Sequence, residues 1–208
     1  MEADTGQTQV DLVRHGEHAL GHVVCGVTDP ELTELGWSQL QKRIETLASH
    51  GSRWDVCLSS PRRRCAEFAR HMARQHGIPY ADEPGFSEVD FGQWEAMSYD
   101  QIQENHPGQW QQWISNPADP APHGGERYGE FLHRIESSWN ALVEAHRGKK
   151  IVLFAHGGVI RAVFRAVLSL DSGNLNRFNV PHACHTRIIV YHHPGKPDLC
   201  QLERHHTF

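Results

Sequence analysis

Apolar positions along this chain follow two different periods, and the switches between them mark the elements. Residues 8–14 (TQVDLVR) form a short β-prone run that stops at His15-Gly16. Residues 34–49 place Leu35, Trp37, Leu40, Ile44 and Leu47 near helical spacing, with Thr33 as the N-cap. Residues 56–59 (VCLS) are a second short strand. Pro61 then opens a helix with Cys65, Phe68, Ala69, Met72 and Ala73 on one face, closed near Gly77. Residues 86–97 mix polar and aromatic groups without a clean period. Ser98 with Gln101 is a capping-box pattern, Pro107 begins a further turn carrying Trp110 and Trp113, and NPADPAPHGG (116–125) is a loop. Residues 126–147 give a long helix with Phe131, Ile135, Trp139, Leu142 and Val143 in one stripe and Gly148 at its end. Residues 150–155 (KIVLFA) are the clearest buried strand, ending in His156-Gly157-Gly158, and a helix follows through Val159, Ala162, Val163, Ala166 and Val167. Residues 184–192 read as a strand, Pro194-Gly195 as a turn, and 198–204 as an antiparallel partner. Strand–helix–strand–helix order predicts an α/β sandwich around a mainly parallel sheet.

Length and charge narrow the class. A chain of 208 residues is one domain's worth, with no repeat, charge block or linker to divide residues 1–208. No apolar run reaches about 18 residues, so no membrane span is expected. The start, MEADTGQTQV, shows neither the basic nor the apolar region of a secretory signal. Five cysteines without paired C-x-x-C spacing point to a reducing compartment, hence a cytoplasmic protein. A net charge of −5 argues against a nucleic-acid binder. The 17 histidines are unusual. The nearest approach to metal spacing is His182, Cys184 and His185, with the pairs His192–His193 and His205–His206. Neighbours on a strand face opposite ways, so neither pair makes a two-ligand site, and no metal is expected.

Three strand ends carry the unusual chemistry. The first gives Arg14-His15-Gly16-Glu17, the second Ser59-Ser60-Pro61-Arg62-Arg63-Arg64, the third His156-Gly157-Gly158. In open α/β sheets ligands bind beyond the carboxyl ends of the strands, so parallel pairing would gather two histidines and several arginines on one edge. Planar guanidinium forks suit phosphate oxygens, and helices starting near Pro61 and Gly158 would aim their N-termini at the same place. A small phosphorylated metabolite is the expected partner; sulfate or carboxylate fits less specifically.

These residues, in this order, resemble the histidine phosphatase superfamily, which includes the cofactor-dependent phosphoglycerate mutases. The likeness runs over residues 9–193. Leu12 to Glu17 (LVRHGE) is similar to the family signature and implies a nucleophilic His15 and a phosphate-binding Arg14. Residues 28–37 (TDPELTELGW) are similar to a second family element. Residues 59–65 (SSPRRRC) match a pattern whose last arginine, here Arg64, binds phosphate. Residues 87–95 (SEVDFGQWE) resemble the element carrying the acid/base glutamate, here Glu88. Residues 155–158 (AHGG) resemble the second-histidine motif, giving His156, with Gly157 beside it at the phosphate. Departures occur at His18 and Gly21, where members often carry threonine or serine and an asparagine, at Ala96 after Trp94-Glu95, and at Arg62 in place of a leucine. Among subfamilies the likeness is greatest to α-ribazole phosphatase, which removes the 5′-phosphate of α-ribazole phosphate in cobalamin assembly.

The resemblance implies a three-layer α/β/α fold, with residues of about 86–125 covering the site. It also implies a double displacement through phosphohistidine on His15, with Arg14, Arg64 and His156 holding the phosphoryl oxygens and Glu88 as acid and then base. Arginines supply the positive charge, so no metal or cofactor is required. Glu17 is a second choice for the acid or an orienting group, Glu126 is placed to position an arginine or cap a helix, and Gly21 and Arg62 are further substrate-side candidates. Trp94, Trp110 and Trp113 are candidates for contacting a base or sugar. The alternatives are a broad sugar-phosphate phosphatase, a phosphoglycerate mutase, an inactive phosphate-binding scaffold, and a histidine-rich metal-binding module. A homodimer is left open.

Overall fold

The computed structural model describes residues 6–116 and 119–207. The first five residues, Phe208, and Pro117 and Ala118 of the expected loop lie outside the described residues. Six strands form one sheet: β1 (Gln7–Arg14), β2 (Val56–Ser59), β3 (Tyr80–Asp82), β4 (Lys150–Ala155), β5 (His185–Tyr191) and β6 (Leu199–His206), in the order β3-β2-β4-β1-β5-β6. β1, β2, β3 and β4 run parallel, β5 is antiparallel to β1, and β6 is antiparallel to β5. The sheet is therefore mainly parallel, as the alternation of elements predicts. The three-residue edge strand β3 was not anticipated, because Tyr80-Ala81-Asp82 is too short to show a period.

Alternation within the central strands decides the layers. In β4, Ile151, Leu153 and Ala155 enter one core while Val152 and Phe154 enter the other; in β1, Val10 and Leu12 part from Val13 in the same way. One face is covered by α1 (Glu34–Ser49) and α2 (Arg63–His76), through Leu40, Ile44, Leu47, Phe68 and Met72. The other is covered by α5 (Tyr128–Ala145) and α6 (Gly157–Leu168), through Phe131, Ile135, Trp139, Val159 and Val163. Two short helices, α3 (Tyr99–Asn105) and α4 (Gln109–Ser115), lie between α2 and α5 in the chain. The result is a three-layer α/β/α sandwich.

Local chemistry sets the ends of these helices. The Thr33 hydroxyl accepts from the Gly36 N–H at 3.0 Å and starts α1, and Ser98 with Gln101 forms both bonds of a capping box at α3. Gly77 ends α2 at φ 64°, a left-handed cap. α2 begins two residues after Pro61 and has no side-chain cap. Leu35, expected on the apolar stripe of α1, is 54% exposed, since the buried face runs through Gly36, Leu40, Ile44 and Leu47.

One charge is sealed between the sheet and the first helical layer. Asp11, fully buried on β1, accepts from His185 Nε2 (2.7 Å), Trp54 Nε1 (2.7 Å), Arg187 Nε (2.7 Å) and Gln9 Nε2 (2.9 Å). Burial alone would raise its carboxyl; the bonds from His185 and Arg187 outweigh that and hold it down to about 2. A group depressed on folding stabilises above its unfolded pKa and stops doing so as pH falls through the folded one. Asp11's contribution is therefore complete above about pH 4 and declines toward about pH 2. Asp11→Ala strands the buried donors of His185 and Trp54 and unpairs the half-buried Arg187, and is expected to cost about 3–5 kcal/mol in urea unfolding at neutral pH. An unchanged unfolding midpoint would contradict this.

Candidate active site

Parallel pairing brings the two histidine motifs together. Arg14 stands opposite Ala155 in the β1–β4 register, so the next residues, His15 and His156, leave neighbouring strands side by side, their rings 5.3 Å apart and edge-on. Ser59 pairs with Phe154, which puts Ser60 next to His156; its hydroxyl lies 2.7 Å from His156 Nε2. Both histidines are buried, at 4% and 0% exposure.

His15 has a defined tautomer. Its Nδ1 lies 2.8 Å from the Gly16 carbonyl, which can only accept, so Nδ1 carries the hydrogen and Nε2 keeps its lone pair. Burial and then the charges of Arg14, His156 and Arg64 hold the imidazole pKa well below its usual value. The ring is thus held toward its neutral form, with Nδ1 tied to the backbone and Nε2 left with its lone pair. The same causes, with Arg64 as the leading charge, push His156 down.

The arginines are held by backbone. Arg14 Nη1 donates to the Val180 carbonyl at 2.6 Å and its Nε is buried without a partner. Arg64, fully buried, donates Nη1 to Thr28 O (2.9 Å) and Nη2 to Cys25 O (2.6 Å), and its Nε is also unpartnered. Such orphaned buried donors mark places built to receive an acceptor. Asp29, 3.7 Å from Arg64, is its ion-pair partner. Glu88 stands opposite: its Oε2 accepts from the Gly158 N–H at 3.0 Å and its Oε1 from Val89 N–H at 3.2 Å. Burial raises its carboxyl above the usual range, against those bonds and the Arg64 charge. A Cβ at Gly158 would sit 2.4 Å from Glu88 Oε1, so a larger residue there would displace the Glu88 carboxylate from this position.

A cavity of about 180 Å³ is lined by Arg14, His15, Glu88 and Gly157, while Arg64 and His156, both fully buried, are not among its lining residues. Residues 86–125 supply Phe91, Trp110, Trp113 and Ile114 to its wall, and α5 adds Tyr128 and Phe131. Trp94, by contrast, is fully buried against Trp110, Trp113 and His123 and serves the core.

The remaining expected residues stand elsewhere. Glu17 does not orient His15 or an arginine: its carboxylate accepts from Thr33 Oγ1 at 3.0 Å and ties the strand end to α1. Gly21 turns the chain at φ 68°, with nothing within 4 Å of where a side chain would stand. Arg62 stands at the N-cap position of α2 without a side-chain cap bond, donates to the Val27 carbonyl and lies outside the cavity lining. Glu126 takes Arg134 in a bidentate pair at 2.9 and 2.8 Å, and Arg134 Nη1 donates to the carbonyls of Gly85 and Ser87, just before Glu88. Of the histidines read for metal spacing, His185 holds Asp11, His192 lies between Thr8 and Asp198, and His205 bonds Thr186 and Asn179. Among the described residues no three His, Cys, Asp or Glu side chains are placed to hold a metal ion.

Sequence reasoning missed several lining residues. Arg161 reaches the cavity because it lies four residues after Gly157 on the first turns of α6, a helical spacing visible in the sequence. His18 lines the cavity at 4% exposure with an unpartnered Nδ1, and its pKa is pushed down to about 4 by burial and the charges of Arg64 and Arg14. His182 packs 5.5 Å from the His15 ring. It arrives with the segment before β5, a contact that only the antiparallel strand creates.

The geometry agrees with comparison to known proteins. The family model for the histidine phosphatase superfamily (branch 1) matches residues 10–202. The chain belongs to that superfamily. It is 28% identical over 181 residues to phosphoserine phosphatase 1 of Hydrogenobacter thermophilus, covering 85% of this chain and 84% of that one. It is 26% identical over 181 residues to the adenosylcobalamin/alpha-ribazole phosphatase of Salmonella typhimurium, covering 86% and 89%. The native structure of a mycobacterial glucosyl-3-phosphoglycerate phosphatase superposes with a TM-score of 0.81 at 26% identity, covering 95% of this chain and 97% of that one. This histidine phosphatase is an enzyme of the phosphatase class.

The tautomer and the low pKa of His15 are directly measurable. In ¹⁵N-resolved histidine spectra its Nδ1 is expected to stay protonated and Nε2 bare across about pH 6 to 8, where an unperturbed imidazole would titrate. A midpoint near the ordinary histidine value would overturn the electrostatic picture drawn from Arg14 and Arg64.

Proposed function

We propose that this phosphatase is a metal-independent phosphomonoesterase acting through a phosphohistidine on His15. The observation that carries the reading is the neutral His15 ring, with Nδ1 tied to Gly16 and Nε2 free, set among arginine charges and facing a cavity that Glu88 shares. Nε2 attacks phosphorus and the bond from phosphorus to the ester oxygen breaks. Glu88, its carboxyl raised above the usual range by burial, gives a proton to the departing alkoxide. Water then attacks the phosphohistidine, Glu88 takes its proton back, the nitrogen–phosphorus bond breaks, and inorganic phosphate leaves. Arg14, Arg64, His156 and the Gly157 backbone hold the phosphoryl oxygens, so positioning and fixed charge carry the transfer.

For the leaving group, α-ribazole 5′-phosphate is the substrate we put first. Its support is the likeness to an alpha-ribazole phosphatase and a cavity wall of Phe91, Trp110 and Trp113, suited to a planar ring. That substrate would place the enzyme in cobalamin biosynthesis, as a cytoplasmic, one-domain protein in which residues of about 86–125 cover the site. One observation favours a second reading. Arg161 and Asn176 line the same cavity, and Arg161 is a second guanidinium there beside Arg14, suited to a phosphoester of a hydroxy acid such as phosphoserine.

Phosphate release in EDTA from α-ribazole 5′-phosphate, phosphoserine, 3-phosphoglycerate and p-nitrophenyl phosphate tests the reading, with His15→Ala as control. Chelator-resistant release that the control abolishes is expected, and turnover of none of these esters by folded protein would refute it. A preference of at least about tenfold in kcat/KM for α-ribazole 5′-phosphate over phosphoserine would decide between the leaving groups.

Glu88 gives a second check. Its proton is needed for departure of the alkoxide, so kcat should fall as pH rises through its raised pKa. Glu88→Gln should remove that limb and lower kcat on alkyl esters by about 10²–10⁴-fold, with a smaller loss on p-nitrophenyl phosphate, whose leaving group departs unaided. Equal losses on both esters would exclude the acid role.

A further inference from the structure

Glu95 is not in the cavity lining, yet its carboxylate is the most heavily engaged acceptor near the site. Its Oε1 accepts from the N–H groups of Gly26 (2.9 Å), Val27 (3.1 Å) and Phe91 (3.0 Å), and its Oε2 from Thr28 (3.0 Å) and Gly26 (3.1 Å). Four backbone groups from two segments thus converge on one side chain. The first segment, 25–28, carries the two carbonyls that fix the Arg64 guanidinium, those of Cys25 and Thr28. The second holds Glu88 and Val89, and it is pressed against the first so closely that a Cβ on Gly26 would come within 1.7 Å of the Val89 carbonyl oxygen. Among the described residues Arg64 donates a hydrogen bond to no carboxylate; its ion-pair partner Asp29 stands 3.7 Å away. The direction of its fork is therefore set by the loop, and the loop by Glu95.

We propose that Glu95 is a positioning residue for phosphate binding: by gathering the N–H groups of 26–28 it points the Cys25 and Thr28 carbonyls at Arg64 and so aims the Arg64 Nε at the phosphoryl site. The proposal rests on Arg64 being a phosphate ligand. Ionised glutamate suits this task because both oxygens are acceptors. Its carboxyl is held below its usual range by the Thr28 side chain and then by the N–H bonds of Thr28, Phe91 and Val27, which together outweigh burial, so it is charged at working pH. A carboxamide has the same shape but offers N–H groups on one side, leaving either Thr28 or the Val27–Phe91 pair facing a donor.

The test is a double-mutant cycle of Glu95→Gln with Arg64→Ala, using Arg64→Lys where the alanine variant does not fold. Circular dichroism confirms the fold, calorimetry reads the Kd of inorganic phosphate, and p-nitrophenyl phosphate reads kcat and KM. Glu95→Gln alone is expected to weaken phosphate binding and lower kcat/KM by about 10- to 100-fold, the scale of a misdirected contact. In the Arg64 variant the same change should cost less than about threefold, because the residue it acts through is gone. Equal losses in both backgrounds, no loss alone, or failure of the Glu95→Gln variant to fold would each overturn the proposal, the last by making Glu95 a determinant of the fold. If the parent protein turns over no ester, the hydrolase reading fails while the phosphate cycle still judges Glu95. Absence of phosphate binding by the parent protein overturns both.

Discussion

Concentrating like charge in a poorly hydrated place is the constraint to which the rest of the site answers. Arg14 and Arg64 lie beside three buried imidazoles, and burial lowers the pKa even of Arg14, to about 10. Such a cluster persists because the guanidinium protons are taken up by main-chain carbonyls at Val180, Cys25 and Thr28, neutral acceptors that satisfy donors without cancelling charge. Burial first, and then the field that remains, hold the His15 pKa well below its usual value. Holding the arginines and keeping the histidine neutral are therefore one electrostatic arrangement.

The two carboxylates near this field do opposite work because their surroundings differ. Glu95 meets four N–H groups and is held ionised; Glu88 meets two, and burial wins, so its carboxyl is raised. They sit seven residues apart in one segment that has no regular secondary structure beyond short 3-10 turns. Irregular backbone is what makes the contrast available, since its N–H groups are free to converge on a side chain where a helix or strand would spend them on its own ladder.

Much of this was legible in the chain itself. β4 falls on the predicted residues 150–155, and the caps at Thr33, Gly77 and Ser98 operate as their types suggest. Arg14 and His15 meet the cavity because they end and follow β1, whose direction the alternating order fixes, while Glu88 arrives on the irregular segment after β3. Glu17 and Gly21 were less legible: a neighbour in sequence need not face the same way, and the bond from Thr33 turns Glu17 toward α1. Arg161 was readable from helical spacing but is unremarkable as a residue type. His182, Asn176 and the Val180 carbonyl could not be read, because they reach the site only through the reversed direction of β5. The role of Glu95 was hidden for a different reason: its partners are backbone groups, which leave no mark on residue identity.

The position of β1 in the sheet bears on how the enzyme is made. This strand, near the start of the chain, hydrogen bonds on one side to β4 and on the other to β5, partners that lie about 140 and 180 residues further along. Every one of those contacts closes a very long loop, the kind of topology that folds slowly. A ribosome adding residues in order presents His15 well before the strands that support it. The site therefore comes into being only after β5 has emerged, and a chain interrupted before residue 185 leaves β1, with Val10, Leu12 and Val13, as an open strand edge, a target for aggregation and for chaperones.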